Sequence, residues 1–308
     1  MRKKILFTGG SGLLALNGAL YLRNDFEVYL GLHSRIINLQ GVHTCKLDLE
    51  NEHALEKELI RIKPDILINA AGMTNVEECE LKPNEANNIN AIVPGVLAKL
   101  SKKLNIYFVH ISTDHLFDGT KSFQTEEDSV LPLNEYGKSK AKGEQEVLKN
   151  NNEALIIRTN FFGWGTSYRQ SFSDFIINSL RQEKKITLFE DVYYTPILIQ
   201  ILIDYIQISI KLKINGIINI VSDERISKYD FGVLVAEIFG LDKSLIEKGS
   251  IENNKSLIKR PRDMSLSNQK AIATVNYDSV LILSQINILK KQEIDGKVIE
   301  QIQLEKLN

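Results

Sequence analysis

The sequence is poor in cysteine and in net charge, and it lacks any long apolar run. Each shortage removes a class of protein. Only two cysteines occur in 308 residues, Cys45 and Cys79, and they match no metal-ligand spacing. Two buried thiols in a reducing compartment are expected in preference to a disulfide. The five histidines, His33, His43, His53, His110 and His115, supply no i, i+4 pair on a predicted helix, so no zinc or other metal site is expected. Basic and acidic residues number 38 and 39, for a net charge of −1. That balance argues against a nucleic-acid or membrane-surface partner. No stretch reaches the length of a membrane span. The basic start, Arg2-Lys3-Lys4, meets only a short apolar run before a glycine turn, which is too short for a secretory signal. A cytoplasmic protein is expected, with enough apolar sequence to bury a large core.

What is present is a rhythm. Ile5, Leu6 and Phe7 lead through a glycine-rich turn into a helical stretch over 13–22. Residues 27–30, 65–69, 106–111 and 154–157 read as strands, and 85–104 and 136–148 as helices. Alternating strand and helix predict an α/β fold with a doubly wound parallel sheet of the Rossmann type. The second half is less regular, with helices over 171–181, 197–212 and 228–239, the last closing at Gly240, and a strand over 216–221. Residues 1–160 are expected to form the dinucleotide-binding domain. Residues 161–308 are expected to complete the sheet, interleaved with a smaller C-terminal α/β substrate lobe. The mixed apolar and charged stretch 279–308 receives no assignment.

The segment Thr8-Gly9-Gly10-Ser11-Gly12-Leu13-Leu14-Ala15 joins the first strand to the first helix. A helix N-terminus presents unpaired backbone N–H groups to a pyrophosphate, and glycines let the phosphates approach. Gly9, Ser11, Gly12, Leu13 and Leu14 are therefore candidate cofactor contacts. A plain tight turn is the competing explanation, because a glycine pattern alone is weak. A carboxylate at the end of the second strand would favour NAD, and a basic residue would favour NADP. Here Ser34 and Arg35 follow that strand and no carboxylate does, so NADP(H) is expected.

Tyr136 and Lys140 are four apart and share a helix face. A phenol titrates near ~10, too high for ready proton exchange at neutral pH, and a neighbouring ammonium lowers that value. The pair makes a workable general acid for a carbonyl that receives hydride. Thr113 ends the preceding strand, at the sheet edge where doubly wound folds bind ligands.

These segments resemble the extended short-chain dehydrogenase/reductases, and within them the dTDP-4-dehydrorhamnose reductases. The resemblance is carried by the glycine turn, Leu47-Asp48-Leu49, Asn69-Ala70-Ala71-Gly72, Ile111 to Gly119, Tyr136-Gly137-Lys138-Ser139-Lys140, Arg158 to Gly163 and Arg260-Pro261-Arg262-Asp263. It implies a catalytic set of Thr113, Tyr136 and Lys140. It also implies cofactor contacts from Asp48, Leu49, Ala70, Ala71, Gly72 and Ile111, together with Tyr136 and Lys140. Substrate contacts would come from Thr74, Asn75, Thr113, Asp114, Phe161 and Arg260. Asn90 would buttress the active-site strands, and 73–78 would form a loop over the site. The implied partner is a nucleotide sugar, and a homodimer is left open. Plainer roles stay open for Asp48 as a turn cap, Asn90 as a partner of buried backbone, Asp114 as a turn residue, Phe161 as core and Arg260 as a surface charge. The sequence departs from the family at Ala15, at His115-Leu116, and at Phe161, where tryptophan is usual. An NADPH-dependent reductase of a nucleotide-activated 4-keto sugar is the expected function. A nucleotide-sugar epimerase or dehydratase is the alternative, as is a non-catalytic NADP-binding regulatory subunit.

Overall fold

The computed structural model describes residues 2–253, 257–275 and 280–296. In the first half, strands and helices alternate. β1 (Lys4–Thr8) leads to α1 (Leu13–Leu22), followed by β2 (Glu27–Leu32), β3 (His43–Lys46) and α2 (Glu52–Ile62). Next come β4 (Ile66–Asn69), α3 (Val76–Leu81), α4 (Pro83–Asn87), a π-helical turn (Asn88–Ile92) and α5 (Val93–Lys103). β5 (Tyr107–Ile111), α6 (Glu135–Asn150) and β6 (Leu155–Arg158) complete this half. Local chemistry sets several boundaries. The Asn51 side chain accepts from Ala54 N at the start of α2, and Asn134 does the same for Gly137 N at the start of α6. α2 ends at Lys63 in the left-handed region, just before Pro64.

In the second half, β7 (Phe161–Phe162) precedes α7 (Phe172–Arg181), β8 (Ile186–Phe189), β9 (Tyr193–Tyr194), β10 (Ile197–Leu198) and α8 (Ile199–Leu212). β11 (Gly216–Asn219), β12 (Ile226–Ser227), α9 (Lys228–Phe239) and a 3-10 turn (Lys243–Leu245) follow. β13 (Ile246–Gly249), α10 (Gln269–Val275) and α11 (Ile282–Asp295) close the described chain. A capping box between Ser171 and Asp174 starts α7, and Ser227 caps α9, which stops at Gly240.

Seven strands form one sheet in the order β11-β6-β5-β4-β1-β2-β3, and the pairings from β6 to β3 are parallel. The chain order reverses between β1 and β4, the switch point at which doubly wound sheets bind ligands. The fold is the expected α/β Rossmann type. Three stretches differ from the pattern read in the sequence. The helix expected over 85–104 is broken by the π-helical turn around Asn90. The helix expected over 197–212 begins with the two-residue strand β10. The strand expected over 216–221 stops at Asn219, whose side chain turns to Gln124 O and Ser267 O. β3 escaped notice because it is an edge strand with a single buried residue, Cys45, and so has no apolar run. Of the unassigned stretch 279–308, residues 282–295 are α11, and 279 and 297–308 lie outside the described residues.

The chain divides into two compact units. The first comprises residues 1–113, 134–158 and 206–218, and the second residues 114–133, 159–205 and 219–308. In the first unit, Leu6, Leu67, Phe108 and Ile156 of the sheet pack with Leu55 and Leu59 of α2 and Leu97 of α5. Burial of such side chains contributes about 1.5–3 kcal/mol each. In the second unit the core is aromatic. Phe231 of α9 packs edge-on against Phe162 and Tyr194 and stacks on Phe172, with ring centroids 5.1–5.8 Å apart. α11 docks there through Trp164 Nε1, which donates to Leu289 O at 2.9 Å.

Candidate active site

The first unit carries the cofactor and proton-transfer candidates. Gly9 has φ +62°, and a Cβ placed there would lie 2.8 Å from Ala71 Cα. Only glycine lets the first turn lie this close to the end of β4. Gly12 is the N-cap of α1 in extended conformation, and it brings no side chain to the cap. The first-turn N–H groups are therefore left for an external acceptor, and no acidic residue in that turn would repel a phosphate. Gly9 and Gly12, with Ala70, Ala71 and Gly72 after β4, thus fit a dinucleotide pyrophosphate. Ser11 lies in the same turn, and Leu13 and Leu14 begin the helix. Ala15, the third position of the glycine pattern, is fully buried.

Ser34 and Arg35 are exposed just after β2. Asp48 is exposed and accepts from Glu50 N at 3.3 Å, so it caps its own turn, while Leu49 packs partly against the sheet core. Thr74 and Asn75 are exposed ahead of α3, and Asn75 caps that helix through Glu78 N at 2.9 Å.

Thr113, Tyr136 and Lys140 are all buried. Lys140 Nζ donates to Ile111 O at 2.7 Å, which pins the middle of α6 to the end of β5. Burial pushes the lysine down to about 8, and Glu144 opposes the shift. Glu144 is itself the centre of a buried set. It accepts from Ser112 Oγ at 2.5 Å and from Arg158 Nη2 at 2.7 Å, and Arg158 Nε reaches both carboxylate oxygens. Ser112 immediately precedes Thr113, so the pair holds the strand end that presents the threonine. The sequence reading missed Glu144, although Tyr136, Lys140 and Glu144 repeat at i, i+4 and i+8 on one helix face.

Asn90 lies in the π-helical turn. Its amide donates to Met73 O and Ser139 Oγ, and its carbonyl accepts from Met73 N, all within 3.0 Å. It therefore links the loop after β4 to the helix of Tyr136. A π-turn spends one extra residue to aim a side chain in this way, often at functional sites. A polar row also crosses the strand ends. Thr8 Oγ1 donates to Asn69 Oδ1 at 2.6 Å, and Asn69 Nδ2 lies 2.9 Å from His110 Nδ1. Because Asn69 donates there, Nδ1 accepts. Burial keeps His110 neutral, with its titration well below the ordinary range.

Of the candidate substrate residues, Thr74, Asn75 and Thr113 belong to the first unit and Asp114, Phe161 and Arg260 to the second. Asp114 is 1 % exposed and accepts from Asn160 Nδ2 at 2.7 Å. His115 Nε2 lies 4.0 Å from the other oxygen of Asp114. Phe161, on β7, and Arg260 are half-buried, so Arg260 is not a plain surface charge. Lys228 and Tyr194, which the sequence reading did not single out, pack together in the second unit. Lys228 Nζ sits 3.2 Å from the centroid of the Tyr194 ring, and burial pushes the lysine down to about 8, a shift that the Asp114 charge opposes and Arg260 adds to. The available signal was a lysine placed directly behind the Ser227 cap, where a cation is disfavoured. Among the described residues no cluster suited to a metal ion occurs, and no helix is long and apolar enough to cross a membrane.

The chain is similar to proteins of one family. Residues 3–280 match the family model of the RmlD substrate binding domain. A probable low-salt glycan biosynthesis reductase, Agl14, of Haloferax volcanii is 31 % identical over 83 % of this chain and 86 % of its own length. The dTDP-4-dehydrorhamnose reductase of Salmonella typhimurium is 26 % identical over 76 % of this chain and 81 % of its own. Among solved structures, a hypothetical dTDP-4-dehydrorhamnose reductase from Sulfolobus tokodaii superposes with a TM-score of 0.81 at 34 % identity, covering 92 % of this chain and 99 % of the other. The Bacillus anthracis dTDP-4-dehydrorhamnose reductase in complex with NADP shares the fold, with a TM-score of 0.85 at 21 % identity over 95 % of this chain and all of the other.

Proposed function

The chain belongs to the RmlD substrate binding domain family, oxidoreductases of the extended short-chain dehydrogenase/reductase kind, and from that premise we propose that it is an NADPH-dependent reductase of a nucleotide-activated 4-keto sugar. One observation carries the reading. Lys140, buried and one turn after Tyr136, is anchored to the end of β5 beside Thr113. This anchoring supports the reading in which the Lys140 ammonium stabilises the conjugate base of a proton-donating phenol.

Gly9, Gly12 and the 70–72 segment hold the cofactor pyrophosphate, and Ser34 and Arg35 favour NADP by taking its 2′-phosphate. When bound, the nicotinamide supplies the hydride that reaches the keto carbon. Tyr136 gives its hydroxyl proton to the keto oxygen, which completes the alcohol. Lys140 stabilises the phenolate that remains, and Thr113 donates a hydrogen bond to the same oxygen, polarising the carbonyl. Thr74 and Asn75 in the first unit, and Asp114, Phe161 and Arg260 in the second, are each candidate contacts of the sugar nucleotide. A cytoplasmic location accompanies this reading and is supported by Cys45 and Cys79, both buried free thiols.

The test is Tyr136→Phe, assayed with NADPH and a dTDP-linked 4-keto sugar. Turnover should fall by about 10²–10⁴, the range for loss of a general acid, while NADPH still binds. Near-full turnover in the variant would refute the mechanism. Consumption of one NADPH per sugar separates reduction from epimerisation or dehydration, in which no net cofactor is used.

A further inference from the structure

His110 takes no part in the reduction described above, yet it is a fully buried imidazole in the sheet of the first unit. The parallel registers set Thr8 of β1 beside Asn69 of β4, and Asn69 beside His110 of β5. Side chains alternate along each strand, so residues in register share a face, and these three line up across the strand ends. All three are buried, where a hydrogen bond meets little competition from water.

The row has a direction. An amide nitrogen can only donate, so Asn69 Nδ2 donates to His110 Nδ1, 2.9 Å away, and that ring nitrogen carries no proton. Asn69 Oδ1 then faces Thr8 and accepts its hydroxyl at 2.6 Å. The Thr8 oxygen in turn accepts from Ala71 N at 3.2 Å. Turned end for end, the amide would give Thr8 Oγ1 a second donor and leave the threonine proton no acceptor among the described residues. The observed direction is open only while His110 Nδ1 has a lone pair to receive the amide.

The other ring nitrogen, Nε2, has no hydrogen-bond partner among the described residues. A buried donor without an acceptor costs stability, and an apolar side chain would fill the same space without that cost. Stability therefore does not account for an imidazole here, and the bond at Nδ1 does. The far end of the row lies against the glycine turn. A Cβ on Gly9 would come 2.8 Å from Ala71 Cα, so any drift of Ala71 changes the gap between that turn and the end of β4.

We infer that His110 is a positioning residue for the cofactor: its Nδ1 lone pair orients the Asn69 amide, the amide orients the Thr8 hydroxyl, and the Thr8 oxygen is left to hold the Ala71 N–H beside the glycine turn. This rests on the reading that Gly9 and the 70–72 segment hold the cofactor pyrophosphate.

The experiment measures NADPH binding by fluorescence, and turnover with a dTDP-linked 4-keto sugar, on the full-length protein. His110→Leu removes the acceptor. It should weaken NADPH binding about fivefold, the worth of one hydrogen bond, while kcat at saturating NADPH and the KM for the sugar keep their wild-type values. His110→Asn returns an oxygen near the Nδ1 position and should recover most of the affinity. Thr8→Val breaks the row at its other end, so the double variant with His110→Leu should lose no more than either single one. Losses that multiply in the double variant overturn the inference, because His110 would then act by another route. So does a His110→Asn protein no better than His110→Leu, which would mean that the ring only fills space. A His110→Leu protein that binds NADPH like wild type also overturns it, and hydrogen exchange at the Ala71 amide says at which level. Faster exchange with unchanged affinity means that the 70–72 segment does not hold the cofactor. Unchanged exchange means that the link through the row is wrong while the reading of the segment stands. Should His110→Leu fail to fold, NMR shifts of the wild-type ring nitrogens decide. The Nε2–H tautomer is expected, and an Nδ1–H tautomer, which cannot accept from Asn69, refutes the inference.

Discussion

The Glu144 network beneath the proton-transfer residues gives the most demanding prediction. Glu144 and Arg158 are 5 % and 2 % exposed at the side chain, and the carboxylate accepts from both Arg158 and Ser112. Glu144→Gln keeps the shape but removes the charge. One oxygen survives as an acceptor, while the new amide NH₂ faces guanidinium N–H groups, donor against donor. The buried arginine then loses its carboxylate partner, which costs about 3–5 kcal/mol. With an unfolding entropy of about 2.1 cal/mol/K per residue, a 308-residue chain should then melt roughly 5–8 °C lower. Adding Arg158→Met should restore part of the loss, because the double variant no longer buries a lone charge. Denaturant melts of the four proteins of this cycle measure the coupling.

The same substitution has a kinetic signature. Glu144 raises the pKa of Lys140 against a larger lowering by burial, which leaves it at about 8. Loss of the carboxylate should therefore move the alkaline limb of kcat to lower pH. The stability effect of Lys140 runs the other way. Its folded pKa lies below its unfolded value near 10.5, so the unfolded chain binds more protons between about pH 8 and pH 10.5. Over that window the penalty for burying the ammonium is relieved as pH rises, while the charge that supports Tyr136 is lost. A Glu144→Gln protein destabilised by less than about 1 kcal/mol, or one whose alkaline limb moves upward, would refute this account.

Two further tests concern the cofactor. Gly9→Ala must place a Cβ against the Ala71 backbone at φ +62°, a strain of about 1–3 kcal/mol, so NADPH affinity measured by fluorescence should drop at least ~10-fold. Wild-type affinity in that variant would show that the turn does not approach the phosphates. Arg35→Ala should raise the KM for NADPH roughly 10-fold and leave NADH nearly untouched, since a charge-assisted contact to the 2′-phosphate is lost. An equal effect on both cofactors would remove Arg35 from the phosphate.

Much of the first unit could be read from the chain before it was folded. A strand, a glycine turn and a helix in direct succession specify where N–H groups are left unpaired, and Gly9 and Gly12 sit where those groups must be reached. Tyr136 and Lys140 share a face through spacing alone, and extending the spacing one turn would have reached Glu144. The π-turn at Asn90 was not legible. Apolar periodicity runs through it unbroken, and the distortion serves hydrogen bonds to Met73 and Ser139, which neighbours in sequence do not announce.

What the sequence determined by itself was local: turns, caps, helix faces and the alternation that makes a doubly wound sheet. These depend on hydrogen bonds and side-chain directions within a few residues, and such short-range terms are written in residue order. Tertiary structure alone decided which charges share a buried neighbourhood. Glu144 meets Arg158 and Ser112 across two elements, and Lys228, far along the chain, comes to lie over the Tyr194 ring. Burial weakens the screening that hides charges from one another in water, so the consequence of each charged residue depends on what packs beside it. No spacing rule reaches that far, and the contact of Lys228 with Tyr194 became visible only once the chain was folded.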